Sequence, residues 1–225
     1  MAVKVLAELI EQGQVWRAQD VPARAAQSLL PTGYAELDQC LAGGWMPGQL
    51  IELLVEQNSS GELRLLLPLL TQVSQKPGLI MWIDPPMHPY PLALAQAGVR
   101  LRDHRVIRTQ SVEERLWVME QALKSGCASI VMGWLDKVPV AALRRLQLAV
   151  HQGEGLAFVV RSSAMANQPS PASFRLHLKV QPDGVKVDLL KRRQAWAVEG
   201  PVLPLKTPLT APNRVINSTA TKRAI

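Results

Sequence analysis

The sequence predicts a three-layer α/β domain with a mostly parallel central sheet, an N-terminal helical arm and a C-terminal β-hairpin. Three observations carry this expectation. From Leu50 onward, strand-length apolar runs alternate with helix-length segments. Those runs are apolar throughout rather than every second residue, as strands covered on both faces are. Near the C-terminus, two segments of alternating polarity flank Pro182-Asp183-Gly184, a hairpin signal.

Residues 1–30 read as a helical arm, with Val5, Leu6, Leu9 and Ile10 at helical spacing, Trp16 beyond them and Pro22 interrupting an Ala-rich stretch. The stripe of Val5 and Leu9 suits packing on its own domain or docking on a neighbouring subunit, so an oligomer built through the arm stays open. The domain itself is expected over residues 31–205. Strands are expected at 50–55, 79–84, 105–110, 128–134 and 156–162, with helices at 61–74, 88–97, 112–125 and 137–151. Residues 162–173 are rich in Ser, Ala, Asn and Pro and read as a mobile loop. The hairpin follows at 174–181 and 184–191. From about Val202 the chain is a Pro-, Thr- and Asn-containing segment expected to be disordered, and residues 206–225 read as a basic tail.

Composition narrows the function classes. Of 225 residues, 48% are hydrophobic and 19% charged, which suits one well-packed domain. No apolar run reaches the roughly 18 residues of a membrane span, and the chain is read as cytoplasmic, with no membrane contact. Cys40 and Cys127 lack metal-site spacing and are expected as buried free thiols. The histidines His88, His104, His151 and His177 stand singly, so neither a metal nor another cofactor is expected. The net charge is +7, but Lys206, Arg214, Lys222 and Arg223 supply four charges beyond residue 205, so the first 205 residues carry +3. The basic signal is therefore largely a tail signal.

The informative stretch runs Leu30-Pro31-Thr32-Gly33-Tyr34-Ala35-Glu36-Leu37-Asp38, then Gly43-Gly44-Trp45-Met46-Pro47-Gly48, then the strand from Leu50, then Glu56-Gln57-Asn58-Ser59-Ser60-Gly61-Glu62-Leu63. In order and spacing it resembles the approach to the nucleotide site of the RecA family. A working phosphate loop needs glycines that let the backbone wrap phosphates, a Lys for the β- and γ-phosphates and a hydroxyl on magnesium. Here Glu56 stands at the first glycine position, Glu62 at the lysine position and Leu63 at the hydroxyl position. Exchanging attraction for repulsion at about 4 Å changes the interaction by several kcal/mol at an intermediate dielectric. The resemblance also implies an activating glutamate after the second strand, where Pro86 stands, and a metal-holding acid ending the fourth, where Gly133 stands. A plain strand-to-helix turn with a capping serine would explain Ser59-Ser60-Gly61 alone, but not the upstream pieces. The expectation is a degenerate RecA-like domain without ATP hydrolysis; a divergent ATPase using Arg64 or Lys76 is the reading of another class.

Within that superfamily the chain resembles the ImuA family through Val15-Trp16-Arg17, the segment from Leu30 to Leu53, the run from Gly61 to Leu70 and Leu189-Leu190-Lys191-Arg192-Arg193. This resemblance implies an accessory role in SOS-induced translesion synthesis. The implied partners are a Y-family polymerase-like protein and an error-prone C-family DNA polymerase, with RecA as a further candidate. The chain is also similar to the SulA family through Leu66-Leu67-Pro68-Leu69-Leu70 and Val131-Met132-Gly133-Trp134-Leu135. That implies an SOS-induced cell-division inhibitor binding the tubulin-like division protein. The upstream segment tilts the expectation to ImuA.

For weak DNA or partner binding, the candidates are Lys191, Arg192 and Arg193 beside Trp196, together with Arg161 and Arg175 at the edges of the 162–173 loop. A solvated strand end explains the first cluster equally well. Trp45, Trp82, Trp117 and Trp134 are expected to pack within the core.

Overall fold

The computed structural model describes residues 29–56, 61–192 and 197–204. The arm, the centre of the degenerate loop, residues 193–196 and the basic tail lie outside the described residues.

The described chain forms α1 (Ala35–Cys40), β1 (Gln49–Val55), α2 (Glu62–Ser74), β2 (Leu79–Ile83), α3 (Pro91–Gln96), β3 (His104–Ile107), α4 (Val112–Lys124), β4 (Ala128–Trp134), α5 (Val140–Gly153), β5 (Leu156–Ser162), a 3₁₀ turn (Ser163–Met165), β6 (Phe174–Gln181), β7 (Gly184–Lys191) and β8 (Val202–Leu203). They build one eight-stranded sheet in the order β3-β2-β4-β5-β1-β6-β7-β8. The pairs from β3 to β6 are parallel, and β7 and β8 are antiparallel additions. The mixed α/β class and the mostly parallel sheet are therefore as expected. β8 lies where disorder was expected: Leu203 pairs with Val185 and is buried.

Period-two alternation sorts β1 onto two faces. Ile51, Leu53 and Val55 join the cluster formed with α1, α2 and α3, whereas Leu50 joins the one formed with α4 and α5. Helices thus cover both faces, which is why the strands read as continuous apolar runs. α4 begins with Ser111, whose side chain accepts the Glu114 N–H, and carries Glu113 and Glu114 in its first turn. α2 contains Pro68, which cannot donate to the Arg64 carbonyl; the Tyr34 hydroxyl donates to that carbonyl instead, at 3.3 Å.

Residues 29–48 cap the first face. Thr32 N–H donates to Asp38 Oδ1 at 2.7 Å, Leu37 is fully buried, and Trp45 packs edge-on against Phe158 with centroids 5.3 Å apart. Removing a core aromatic such as Trp45 would cost about 3–5 kcal/mol. Trp45 N–H donates to the Leu30 carbonyl at 2.7 Å, and a Cβ on Gly44 (φ +125°) would lie 2.4 Å from that oxygen. Close backbone approach thereby explains Gly44, and a left-handed φ of +119° explains Gly43.

Two packing expectations fail. Trp117 is 60% exposed on α4, although Trp45, Trp82 and Trp134 are buried. Cys127 is exposed and Cys40 only half-buried. Among the described residues no helix is long and apolar enough to cross a membrane, and no group of three or more His, Cys, Asp or Glu could hold a metal.

Candidate functional site

In open α/β sheets the crevice for ligands lies beyond the carboxyl ends of the strands, where successive connections depart to opposite faces. Here α2 follows β1 onto one face and α5 follows β4 onto the other. Between them, at the ends of β1, β4 and β5, lies a cleft of about 380 Å³ lined by Val55, Pro86, Arg115, Trp134, Lys137 and Arg161, among others.

The segment read as a degenerate phosphate loop begins just after β1. Glu56 is exposed at its start, while Gln57, Asn58, Ser59 and Ser60 lie outside the described residues. Gly61 precedes α2 with φ +95°, a left-handed conformation that suits glycine. Glu62 is buried at 2% exposure in the first turn of α2, where the helix dipole favours an anion. Leu63 packs against the core. Glu62 and Leu63, expected at the lysine and hydroxyl positions of a phosphate loop, thus serve the start of a helix.

At the end of β2, Pro86 is exposed on the rim of the cleft. The acid two residues before it, Asp84, is committed elsewhere: it accepts from Thr109 N–H at 2.9 Å, from the Thr109 hydroxyl and from Arg115 Nε at 2.6 Å. Burial alone would raise the Asp84 pKa, but these hydrogen bonds and the Arg115 charge outweigh it and hold the carboxyl below the ordinary aspartate value. Arg115 also donates to the Trp134 carbonyl, tying β2 to the end of β4. Gly133 itself lies under α4: a Cβ there would sit 2.4 Å from Met119 Sδ and 2.6 Å from its Cε. Packing, rather than metal ligation, accounts for that residue. Asp136 accepts from Ser162 N–H at 2.7 Å.

The principal electrostatic feature is a buried triad that sequence reasoning missed. Glu52, in the middle of β1, is 1% exposed. Arg161 Nη1 donates to Glu52 Oε1 at 2.6 Å, and Arg175 Nε donates to Oε2. Arg161 further donates to the Leu135 and Asp136 carbonyls, and Arg175 to those of Met165 and Ala166. One carboxylate therefore holds two guanidiniums, and these in turn clamp the chain after β4 and after β5. The signal was present: a glutamate inside an apolar strand requires a buried cation.

This corrects two expectations. Arg161 and Arg175 are 1% and 7% exposed, with their donors spent on Glu52 and on carbonyls, so they do not present charge to DNA. Residues 162–173 are tied down rather than mobile: besides the Arg175 clamp, Lys191 Nζ donates to the Ser170 carbonyl at 2.9 Å and the Ser173 hydroxyl bonds to Gln49. Burial, then repulsion from Arg175, lowers the Lys191 pKa below the ordinary lysine value. Arg192 is half-buried with Nη1 3.4 Å from the Cys40 carbonyl; Arg193 and Trp196 lie outside the described residues.

Valines and Trp134 form the walls of the cleft, Lys137 is exposed at its rim, and among its described lining residues Asp136 is the sole carboxylate, with no imidazole, thiol or hydroxyl.

The family model described as cell division inhibitor SulA matches residues 48–157, spanning β1 through the start of β5. The chain is 29% identical over 134 residues to the cell division inhibitor SulA of Yersinia enterocolitica, covering 58% of this chain and 79% of that protein. To the SulA of Photorhabdus laumondii it is 31% identical over 115 residues, covering 51% and 65%. To that of Yersinia pestis strain Pestoides F it is 31% identical over 114 residues, covering 51% and 68%. These matches overturn the expected role in translesion synthesis. That expectation leaned on the segment upstream of Gly48, which lies outside the span matched by the family model and whose glycines and Thr-Gly and Leu-Asp pairs are accounted for as a cap on the sheet.

Proposed function

The chain belongs to the SulA family of cell division inhibitors, and from that premise we propose that it inhibits cell division by direct contact with the tubulin-like division protein, without catalysis. The observation that carries this reading is the family match over residues 48–157. That span includes the cleft residues Val55, Pro86, Val112, Arg115 and Trp134 to Val138.

The character of the cleft supports a protein partner. Its apolar walls, with Val112 40% exposed and neighbouring Met87 64% exposed, suit a hydrophobic anchor, and Lys137 on the rim suits an acidic neighbour of that anchor. The scaffold is a RecA-like domain put to adhesive use. The internal position of β1, followed by a loop and a helix at the carboxyl edge, supports that descent.

The test is polymerisation of the purified division protein, followed by sedimentation, with and without the full chain. Loss of polymer is expected, together with its recovery when Val112→Asp and Lys137→Glu are introduced. Unchanged polymer at a several-fold excess of the wild-type chain would refute the proposal. Filamentation of cells expressing the chain gives the same reading in vivo.

A further inference from the structure

At the opposite, amino end of the parallel strands, cations from separate segments gather around the exposed strand β3. Lys76 follows α2, Arg100 and Arg102 lie between α3 and β3, and Arg105 is in β3. All four are exposed, and from residue 100 to 105 they are accompanied by a single acid, Asp103. Lys76, Arg100 and Arg102 line a concavity of about 460 Å³. Among the described residues, the side chains of these three make no ion pair or hydrogen bond. Their backbone is held in place nonetheless: Ser74 Oγ accepts from Arg100 N–H at 3.0 Å, Gln75 Nε2 donates to the Gly98 carbonyl, and Thr71 Oγ1 donates to that of Ala97. Arg105 donates to the Arg102 and His104 carbonyls, fixing the turn into β3.

We propose that this cationic ridge along the β3 edge binds the phosphate backbone of duplex DNA without regard to sequence. Charges on an edge strand also prevent edge-to-edge pairing, but one or two suffice for that. Edge protection does not account for Lys76, contributed from another element. An acidic protein is the poorer match because stable protein interfaces are anchored by buried aromatic or aliphatic side chains. Within this ridge Val106 is the one exposed large hydrophobic residue. Single-stranded DNA would need aromatic platforms, and the neighbouring Trp82 is buried against His104. A phosphate backbone requires only spaced, positioned cations, and its binding is driven by counterion release. The ridge is separate from the carboxyl-edge cleft, so its failure would leave the division-inhibitor reading intact.

The experiment is fluorescence anisotropy of the full chain with a labelled random duplex of about 25 base pairs, titrated at several salt concentrations. Each phosphate contact contributes about −0.9 to the slope of log affinity against log salt, so Arg100→Ala with Arg102→Ala should make the slope shallower by about 1.8. Between 50 and 200 mM salt that is an approximately 12-fold smaller loss of affinity. Arg100→Lys with Arg102→Lys should keep the wild-type slope, and Arg144→Ala with Arg145→Ala, an equal charge loss on α5, should leave it nearly unchanged. Circular dichroism of each variant confirms folding, and the Lys pair preserves the test if the Ala pair does not fold. Absence of binding at 50 mM salt, an unchanged slope in the Ala pair, or loss of slope in the Lys pair would overturn the proposal. So would equally tight binding to poly-glutamate of matched charge, which would assign the ridge to an acidic polypeptide.

Discussion

Replacing Glu52 with Leu should destabilise the protein severely, because it removes the carboxylate that Arg161 and Arg175 share while leaving both guanidiniums buried. Two guanidiniums bonded to opposite oxygens of one carboxylate are roughly 6 Å apart, and at an effective dielectric of 20 their unscreened repulsion is about 3 kcal/mol. Each also loses an attraction of similar size, partly offset because the carboxylate no longer has to be desolvated. Removing one partner from a buried ion pair costs about 3–5 kcal/mol. With a urea m-value of about 2 kcal/mol/M, the unfolding midpoint should fall by about 1.5–2.5 M. Glu52→Gln keeps an acceptor and the shape, and should fall between wild type and Leu. Neutralising the whole triad by Glu52→Leu, Arg161→Met and Arg175→Met should not restore stability. The carbonyls of Leu135, Asp136 and Ala166 would lose their guanidinium donors, at about 1–3 kcal/mol for each one left buried and unsatisfied. Proteolytic cleavage within residues 163–173 should accelerate in all three variants. A midpoint for Glu52→Leu within error of wild type would refute the claim that the triad holds the carboxyl edge together.

Gly133→Asp should not create a metal site but should lower the thermal midpoint, since even its Cβ intrudes on fully buried Met119; about 1–3 kcal/mol is expected for overpacking. An unchanged midpoint, or a rise on adding magnesium, would show that the space and the chemistry are otherwise. The His104 pKa is lowered from 6.5 by burial, against a smaller upward push from Asp103, and its Nδ1 accepts from Trp82 Nε1 at 3.1 Å, which requires the neutral ring. The stability this contributes is complete above the ordinary histidine value and is lost as pH falls through it toward the lower folded-state value. The urea midpoint should therefore drop between about pH 7.5 and about pH 5.5, a window in which histidine titrates. His177, also lowered by burial, contributes in the same direction. His104→Gln should weaken this dependence; an unaltered pH profile would assign it elsewhere.

The sequence by itself determined the layering and nearly every strand. Burial on both faces writes itself as unbroken apolar runs, and β4, β5, β6 and β7 fall where those runs or the hairpin alternation put them. It also singled out Glu62, Pro86 and Gly133, through the resemblance to the RecA-family nucleotide site. Only the tertiary structure decided what those residues and the cations do. Glu52, Arg161 and Arg175 are more than a hundred positions apart between first and second, and β1 meets β5 and β6 only after the crossovers have closed. Charge counted along the chain placed Arg161 and Arg175 at a loop edge available to DNA, whereas side-chain direction in adjacent strands turns both inward onto one carboxylate. Conversely, Lys76 and the arginines around β3 form one surface because the end of α2 and the approach to β3 meet at the same edge of the sheet. Local pattern encodes which residues are buried, but the pairing of charges depends on strand order, and strand order is set by contacts distant in sequence.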